Sequence, residues 1–374
     1  MSNNFDVCIR GDGVVGRAMA LLLAKERLRV ALVTPAAHSD KADKADIRAY
    51  ALNSASRQLL QTLRAWPEEN FATPVLKMQV WGDDGGAVAF DANGAAQAAL
   101  AWIVDVHALE EQLAYACRYQ GQIERVAQPA PAALSIICEG QQSSSRGALG
   151  AQWTRKPYAQ KAMAARLESS LPHGGVARQW FAGGVSGGDV LALLPMGGAL
   201  GNSMALVWSV SDERAASLEK LAPDAFCAEL ATTCGPEVGS LRLTSDRASW
   251  PLAMSGADRW VGPGWALAGD AAHTVHPLAG QGLNLGLADA ACLSGVLAGR
   301  EYWRGLGDEK LLRRYERARK ADVAAVGAVT DGLHSLFAHT GPAWQAMRNW
   351  GMNGFANSTP LKNWLTRRAA GMLI

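Results

Sequence analysis

The sequence predicts an α/β fold: a Rossmann-like dinucleotide-binding domain, discontinuous along the chain, with an inserted sheet-rich domain and a helical C-terminus. Three observations carry this expectation. An apolar strand, a glycine-rich turn, a helix and a second apolar strand open the chain within roughly 30 residues, the order of a nucleotide-binding β-α-β unit. A second glycine-rich loop, holding an acid, follows a short apolar strand at 265–268 and runs into another helix. Between the two, residues 150–260 favour strands and turns.

Composition narrows the class. A chain of 374 residues makes one large or two intimate domains, with an interior able to surround a cofactor. Hydrophobic residues at 49% and charged residues at 19% belong to a globular chain rather than a disordered one. The 36 Lys and Arg nearly balance the 34 Asp and Glu, so no overall field points to nucleic acid. Six scattered cysteines, with no Cys-x-x-Cys pair and no His cluster beside them, argue against a metal site or a disulfide framework. No apolar run approaches the ~18 residues that span a bilayer, and no basic-then-apolar leader precedes the first strand, so a cytoplasmic location is expected. Thirteen tryptophans outnumber seven Phe and six Tyr; they either fill the core or line a site for an aromatic or isoprenoid molecule.

The elements follow in order. A buried strand at 5–9 leads through Gly11-Asp12-Gly13-Val14-Val15-Gly16 into a helix at 17–25, then a strand at 29–33. A polar loop covers 35–45 and a helix 53–63. Strand-like segments over 75–105 break at Asp83-Asp84-Gly85-Gly86, a hairpin turn. A helix at 106–119 precedes a short strand at 134–138, and residues 205–210 alternate as a half-buried strand. Helices at 286–297 and 309–329 and a tail with Trp344, Trp350 and Trp364 complete the chain.

In Gly11-x-Gly13-x-x-Gly16 the glycines allow a tight turn and close backbone approach, so a pyrophosphate can rest on the helix N-terminus beside Val15. Two residues there are unusual. Asp12 brings a carboxylate that would repel phosphate unless Arg10 or Arg17 compensates. The second strand ends in Val33-Thr34, and Thr34 offers a ribose one hydroxyl instead of a bidentate carboxylate. The other loop, GDAAHTVHPLAGQGLNLGLADA over 269–290, places Asp270 just past a strand's C-terminal end, where α/β folds bind ligands and an acid can accept from a polyol. Gly280-Gln281-Gly282 then opens a helix whose free N–H groups favour an electron-rich group. A loop that merely capped a helix would need no acid, proline and three turn glycines in this order.

This loop resembles the FAD-binding signature of the ubiquinone-biosynthesis hydroxylases, a branch of the aromatic flavoprotein monooxygenases with the para-hydroxybenzoate hydroxylase-like fold. The likeness runs through most of the chain. Asp46-Ile47-Arg48-Ala49-Tyr50-Ala51-Leu52 looks like the family's arginine segment near the FAD, and Trp102-Ile103-Val104-Asp105 resembles the strand before its next helix. Tyr158-x-Gln160, Pro172-His173-Gly174, Leu193-Leu194-Pro195, Val207-Trp208 and Trp250-Pro251-Leu252 fall in the family's order, and the tail resembles its ending. With the element order, this divides the chain into an FAD-binding domain over 1–70, 100–150 and 255–330, a substrate domain over 71–99 and 151–254, and a C-terminal helical segment over 331–374.

The resemblance implies FAD as cofactor, held by Gly11, Gly13, Val15, Gly16, Thr34, Arg48, Glu139, Gly269, Asp270, Pro277, Gly280, Gln281, Gly282, Leu283 and Asn284. It implies that NADH or NADPH reduces the FAD, that O2 adds at C4a, and that the hydroperoxide passes a hydroxyl to an electron-rich ring. The protein then excludes water and orients that ring. Pro277 and Gln281 would line the reactive face. His276 is the candidate catalytic residue, relaying a phenolic proton; a plain backbone hydrogen bond is the alternative. His273 reads as structural.

The implied substrate is a polyprenyl phenol intermediate of ubiquinone biosynthesis. A small soluble aromatic acid is the alternative substrate, and a weakly FAD-binding scaffold of a quinone-biosynthesis complex the alternative role. The family's middle motif, Asp-Gly followed by Ser and Arg, reads here Glu139-Gly140, then Ser145-Arg146, with an acid longer by one methylene. The 121–133 stretch is short and lacks the family's hairpin. Ser358-Thr359-Pro360 opens a helix with Leu361, Trp364 and Leu365 beside Lys362, Arg367 and Arg368. That helix either packs on the body or meets a quinone-biosynthesis partner or the inner-membrane surface.

Overall fold

The computed structural model describes residues 5–34, 46–82, 87–94, 97–182, 188–275 and 280–338, with side chains of the last helix described to residue 328. The predicted loop at 35–45, the turn at 83–86, His276, Pro277 and the tail helix from 358 lie outside the described residues.

The first strand, Phe5–Arg10, is apolar on both faces, and parallel sheets bury strands of that kind. It lies inside a six-stranded sheet of order Val261–Gly262, Trp265–Leu267, Ala132–Ile137, Phe5–Arg10, Val30–Val33, Ile123–Val126. All neighbours run parallel except the first pair. The short 121–133 stretch thus holds one edge strand. Register pairs Leu267 with Ile137, Ile137 with Arg10, Arg10 with Val33 and Val33 with Val126. The strands therefore end at one level, and the chain leaves each of them along the same edge.

Helices cover this sheet. Val14–Lys25 buries Val14, Ala18, Met19, Leu21 and Leu23 and packs against Gly282–Ala298 and Val106–Arg118. It starts three residues before the sequence predicts, and Gly282–Ala298 starts four before. Valine and glycine have weak helix propensity, but close packing holds them in both first turns. A Cβ at Gly16 would lie 1.9 Å from the Gly11 carbonyl oxygen, and one at Gly286 would lie 2.7 Å from Val15 Cγ2. Glycine at 16 lets the helix meet the Gly11 backbone, and glycine at 286 makes room for the Val15 side chain.

A nine-stranded sheet forms the second layer, built around the 17-residue strand Trp153–Ser169. That strand shifts register between Pro157 and Lys161, where Ala159 adopts φ 53. Two helices, Asp212–Lys220 and Pro223–Cys234, correct the reading of 150–260 as strands and turns. Their signals were present: Ser211 accepts from Arg214 N–H with acids in the first turn, and Pro223 sits at the start of the second helix. They cover a core of Trp208, Phe226, Leu191 and Leu206. Trp102, Trp208, Trp260 and Trp265 are buried, so core filling explains these tryptophans, while Trp303 stands exposed against Tyr302.

A small sheet of Ala49–Leu52, Ala101–Asp105 and Ala72–Val75 links the layers. Arg166, on the long strand, donates to Asp105 at 2.8 Å and to the Arg48 carbonyl at 2.9 Å. Among the described residues, no helix is long and apolar enough to cross a membrane.

Asn284 ties the small sheet to the helical layer. Its Oδ1 accepts from Asn53 N–H (3.0 Å) and Ser56 Oγ (2.7 Å), and its Nδ2 donates to the Ala51 carbonyl (2.8 Å). Asn284→Ala strands two buried donors and is expected to lower the unfolding free energy by about 1–3 kcal/mol. Urea denaturation measures this; unchanged stability would mean that the bridge is redundant.

Candidate active site

The edge where the parallel strands end is a cleft of about 520 Å³, lined by Arg10, Gly11, Asp12, Gly13, Val33 and the Cys138–Ser144 turn among others. The strand order reverses about Phe5–Arg10, so this is the crevice where open α/β sheets bind ligands. The Val14–Lys25 helix has no side-chain cap, leaving its first N–H groups open to an anion. A Cβ at Gly13 would meet nothing within 4 Å. The residues present fit a diphosphate.

Asp12 does not stand uncompensated. Arg17 Nη2 lies 3.4 Å and Arg125 Nη2 3.8 Å from its Oδ2. Arg17 was an expected partner; Arg10 instead donates to Ser145 Oγ at 3.2 Å. Thr34 is absent from the cleft lining, and its hydroxyl accepts from Arg125 Nε at 3.3 Å.

Glu139 lines the cleft, but its carboxylate is engaged locally. It accepts from Ser143 Oγ (2.7 Å), Ser145 Oγ (2.6 Å) and Ser145 N–H (3.1 Å). Burial pushes its carboxyl up, and these bonds with nearby Arg10 outweigh that, holding it below the ordinary range. The longer acid thus braces the short helix Ser144–Ala148. From this helix, buried Arg146 donates to the Gln141 carbonyl (2.9 Å) and the Ala271 carbonyl (3.1 Å), with its guanidinium 3.6 Å above the Trp153 ring. The middle motif is therefore a strut between the glycine turn and the 269–290 loop.

In that loop, Gly269 takes φ +62, with Val15 only 3.3 Å from where its Cβ would be. Asp270 follows, opening to solvent, with no hydrogen-bond partner among the described residues. The protein crowding it nevertheless desolvates the carboxyl and pushes it up, against the pull of His273 and Arg48. Arg48 is held by Asp46 (Nε to Oδ1, 2.9 Å) and by the Tyr50 hydroxyl at 3.3 Å; Asp46 raises its pKa. Burial raises the Tyr50 phenol, with Asp270 adding to the shift. Asp270, Arg48 and Tyr50 thus share one electrostatic neighbourhood. The helix Gly282–Ala298, preceded by Gly280 at φ +59 and by Gln281, has a second N-terminus without a side-chain cap. Leu283 packs on the main core, and Asn284 is occupied in the bridge described above.

One group escaped the sequence reading. Asp289, fully buried in the Gly282–Ala298 helix, accepts from Gly269 N–H (2.9 Å) and His273 Nε2 (2.7 Å) with Oδ2, and from Arg319 Nε (2.7 Å) with Oδ1. His273 stacks on Trp260 with centroids 4.8 Å apart, which fits its expected structural role. Burial alone would push the Asp289 carboxyl up; His273 and Arg319 more than reverse this and hold it low. The signal was in the sequence, since a lone acid among Leu285, Leu287, Ala288 and Ala290 must be paired if that face is buried.

A Rossmann-type sheet with an uncapped helix N-terminus on its crevice, joined to a second sheet layer, defines a dinucleotide-binding protein by class. The profile of the FAD binding domain family matches residues 104–330. Ubiquinone hydroxylase UbiL of Rhodospirillum rubrum is 30% identical over 397 aligned residues, covering 98% of this chain and 90% of its own. The 3-demethoxyubiquinol 3-hydroxylase of Escherichia coli is 28% identical over 396, covering 98% of both. The p-nitrophenol 4-monooxygenase PnpA of Pseudomonas putida shares the fold with a TM-score of 0.75 at 16% identity over the full length of both chains. The chain belongs to the FAD binding domain family and, within it, to the ubiquinone-biosynthesis hydroxylases; it is an FAD-dependent aromatic monooxygenase.

Asp289→Ala leaves Arg319 and His273 buried without their acceptor and is expected to cost about 3–5 kcal/mol of stability. Because its folded pKa is depressed, the Asp289 contribution is complete above the ordinary carboxylate range. It is lost only as pH falls through that lower value. Acid titration of the folded fraction reads both effects, and a variant as stable as the parent at neutral pH would overturn them. Asp270 has the opposite sign: ionising it costs stability at pH above its raised pKa. Asp270→Asn is therefore expected to raise the melting temperature of the flavin-free protein while weakening FAD binding. Joint loss of both properties would contradict this.

Proposed function

We propose that this enzyme hydroxylates the ring of a polyprenyl phenol intermediate of ubiquinone biosynthesis, with NADH or NADPH as reductant and O2 as co-substrate. The observation that carries the site assignment is Asp270: an acid without a hydrogen-bond partner among the described residues, pushed up by its surroundings, in the field of Arg48 and one residue from the crowded Gly269 turn. Such an acid suits the hydroxyls of a flavin's polyol chain. Bound FAD would supply the oxygen-activating chemistry; the protein binds, orients and excludes water.

Gly11 and Gly13 line the diphosphate cradle, Gly16 lets the helix approach the Gly11 carbonyl, Val15 packs behind it on Gly269 and Gly286, and Glu139 braces it. Gly280, Gln281 and Gly282 present backbone N–H groups to the flavin's electron-rich edge, and Leu283 and Asn284 fix that helix. Arg48 steadies Asp270 electrostatically. Pro277 would line the reactive face, and His276 would take the phenolic proton. The division at 71–99 and 151–254 would set the substrate domain against the FAD-binding segments. The C-terminal segment 331–374 would meet the membrane surface or a partner of a quinone-biosynthesis complex. The ion pairs of Asp12 favour a working site over a non-catalytic scaffold.

The test is a visible spectrum of purified protein, followed by NAD(P)H oxidation with a short-chain polyprenyl phenol and mass analysis of the product. A flavin band and a product heavier by one oxygen atom are expected. Oxidation stimulated only by soluble aromatic acids would overturn the substrate assignment, and failure to take up FAD would overturn the site.

A further inference from the structure

We infer that Asp12, rather than the end of the second strand, supplies the carboxylate that holds the adenosine ribose of the cofactor. The inference rests on FAD being the dinucleotide bound. In a β-α-β unit the acid that takes the ribose hydroxyls ends the second strand. Here that place is Thr34, whose hydroxyl accepts from Arg125 Nε and which does not line the cleft. Asp12 does line it.

The two positions are joined by one side chain. Arg125 reaches Thr34 Oγ1 through Nε at 3.3 Å and Asp12 Oδ2 through Nη2 at 3.8 Å. The Asp12 carboxylate and the strand end that lacks its acid thus lie on either side of one guanidinium. Arg17 Nη2, at 3.4 Å, contacts the same Oδ2. Oδ2 is thus anchored by two cations, while Oδ1 has no partner among the described residues and can accept from a ribose hydroxyl. The cations also offset part of the repulsion that a carboxylate in the glycine turn would exert on a diphosphate. An acid lost at residue 34 and one gained at residue 12 are two halves of one displacement.

The opposite placement, Asp12 facing the diphosphate, predicts the opposite sign. Asp12→Asn keeps the shape and removes the charge, so FAD affinity, read by flavin fluorescence, distinguishes the two. If the carboxylate takes the ribose, Asp12→Asn weakens FAD binding by about tenfold or more, the range expected for a charge-assisted hydrogen bond. The wild type then loses a similar factor with the 2′-deoxyadenosine or 3′-deoxyadenosine analogue of FAD, and Asp12→Asn loses little more with either. Rebuilding the strand-end acid in Asp12→Gly/Thr34→Glu restores affinity relative to Asp12→Gly alone. Equal melting temperatures of the flavin-free proteins show that folding is not the cause. Tight wild-type binding together with equal or tighter binding by Asp12→Asn overturns the inference alone. Wild-type protein that takes up no FAD overturns the cofactor assignment along with it.

Discussion

Leu267, Ile137, Arg10, Val33 and Val126 lie side by side because parallel strands hydrogen-bond in a fixed register, and this row sets where everything functional can be. One residue beyond it, the chain must turn away, and three of those turns are the glycine turn, the Cys138–Ser144 turn and the Gly269 loop. Segments more than a hundred residues apart thereby meet on one edge. Asp289 then pins the last of them, accepting from Gly269 N–H while His273 and Arg319 neutralise its charge. The loop is thereby anchored at its root.

The same edge concentrates unsatisfied chemistry. The N-terminus of Val14–Lys25 lacks a side-chain cap there, as does that of Gly282–Ala298, and Asp270 is desolvated without a partner among the described residues. Each feature is unfavourable for a protein on its own and favourable for one that binds a diphosphate, a polyol and an electron-rich ring edge. The surrounding charges are, by contrast, paired: Glu139 with two serines, Arg48 with Asp46, Asp12 with two arginines. Unpaired groups therefore single out this edge more sharply than charge alone.

The departures from the family pattern acquire separate meanings in this setting. Glu139 uses its extra length to brace the Ser144–Ala148 helix, so the change at that position remodels a support. Asp12 and Thr34 are coupled through Arg125, so two substitutions that look like independent losses in the sequence act as one local rearrangement.

The sequence by itself determined the α/β class, the opening β-α-β unit and the Asp270 loop, because hydrophobic period and glycine spacing are local properties. It also carries the caps of the helices Asp212–Lys220 and Pro223–Cys234, although the alternating segments on either side of them favour strands and turns. What only the tertiary structure decided is which charges face one another. Arg17 rather than Arg10 answers Asp12, Arg125 joins Asp12 to Thr34, and Asp289 gathers donors from Gly269, His273 and Arg319. Electrostatic pairing depends on distances of a few ångströms across segments remote in the chain. Strand register and helix packing fix those distances, and no spacing along a linear sequence encodes them.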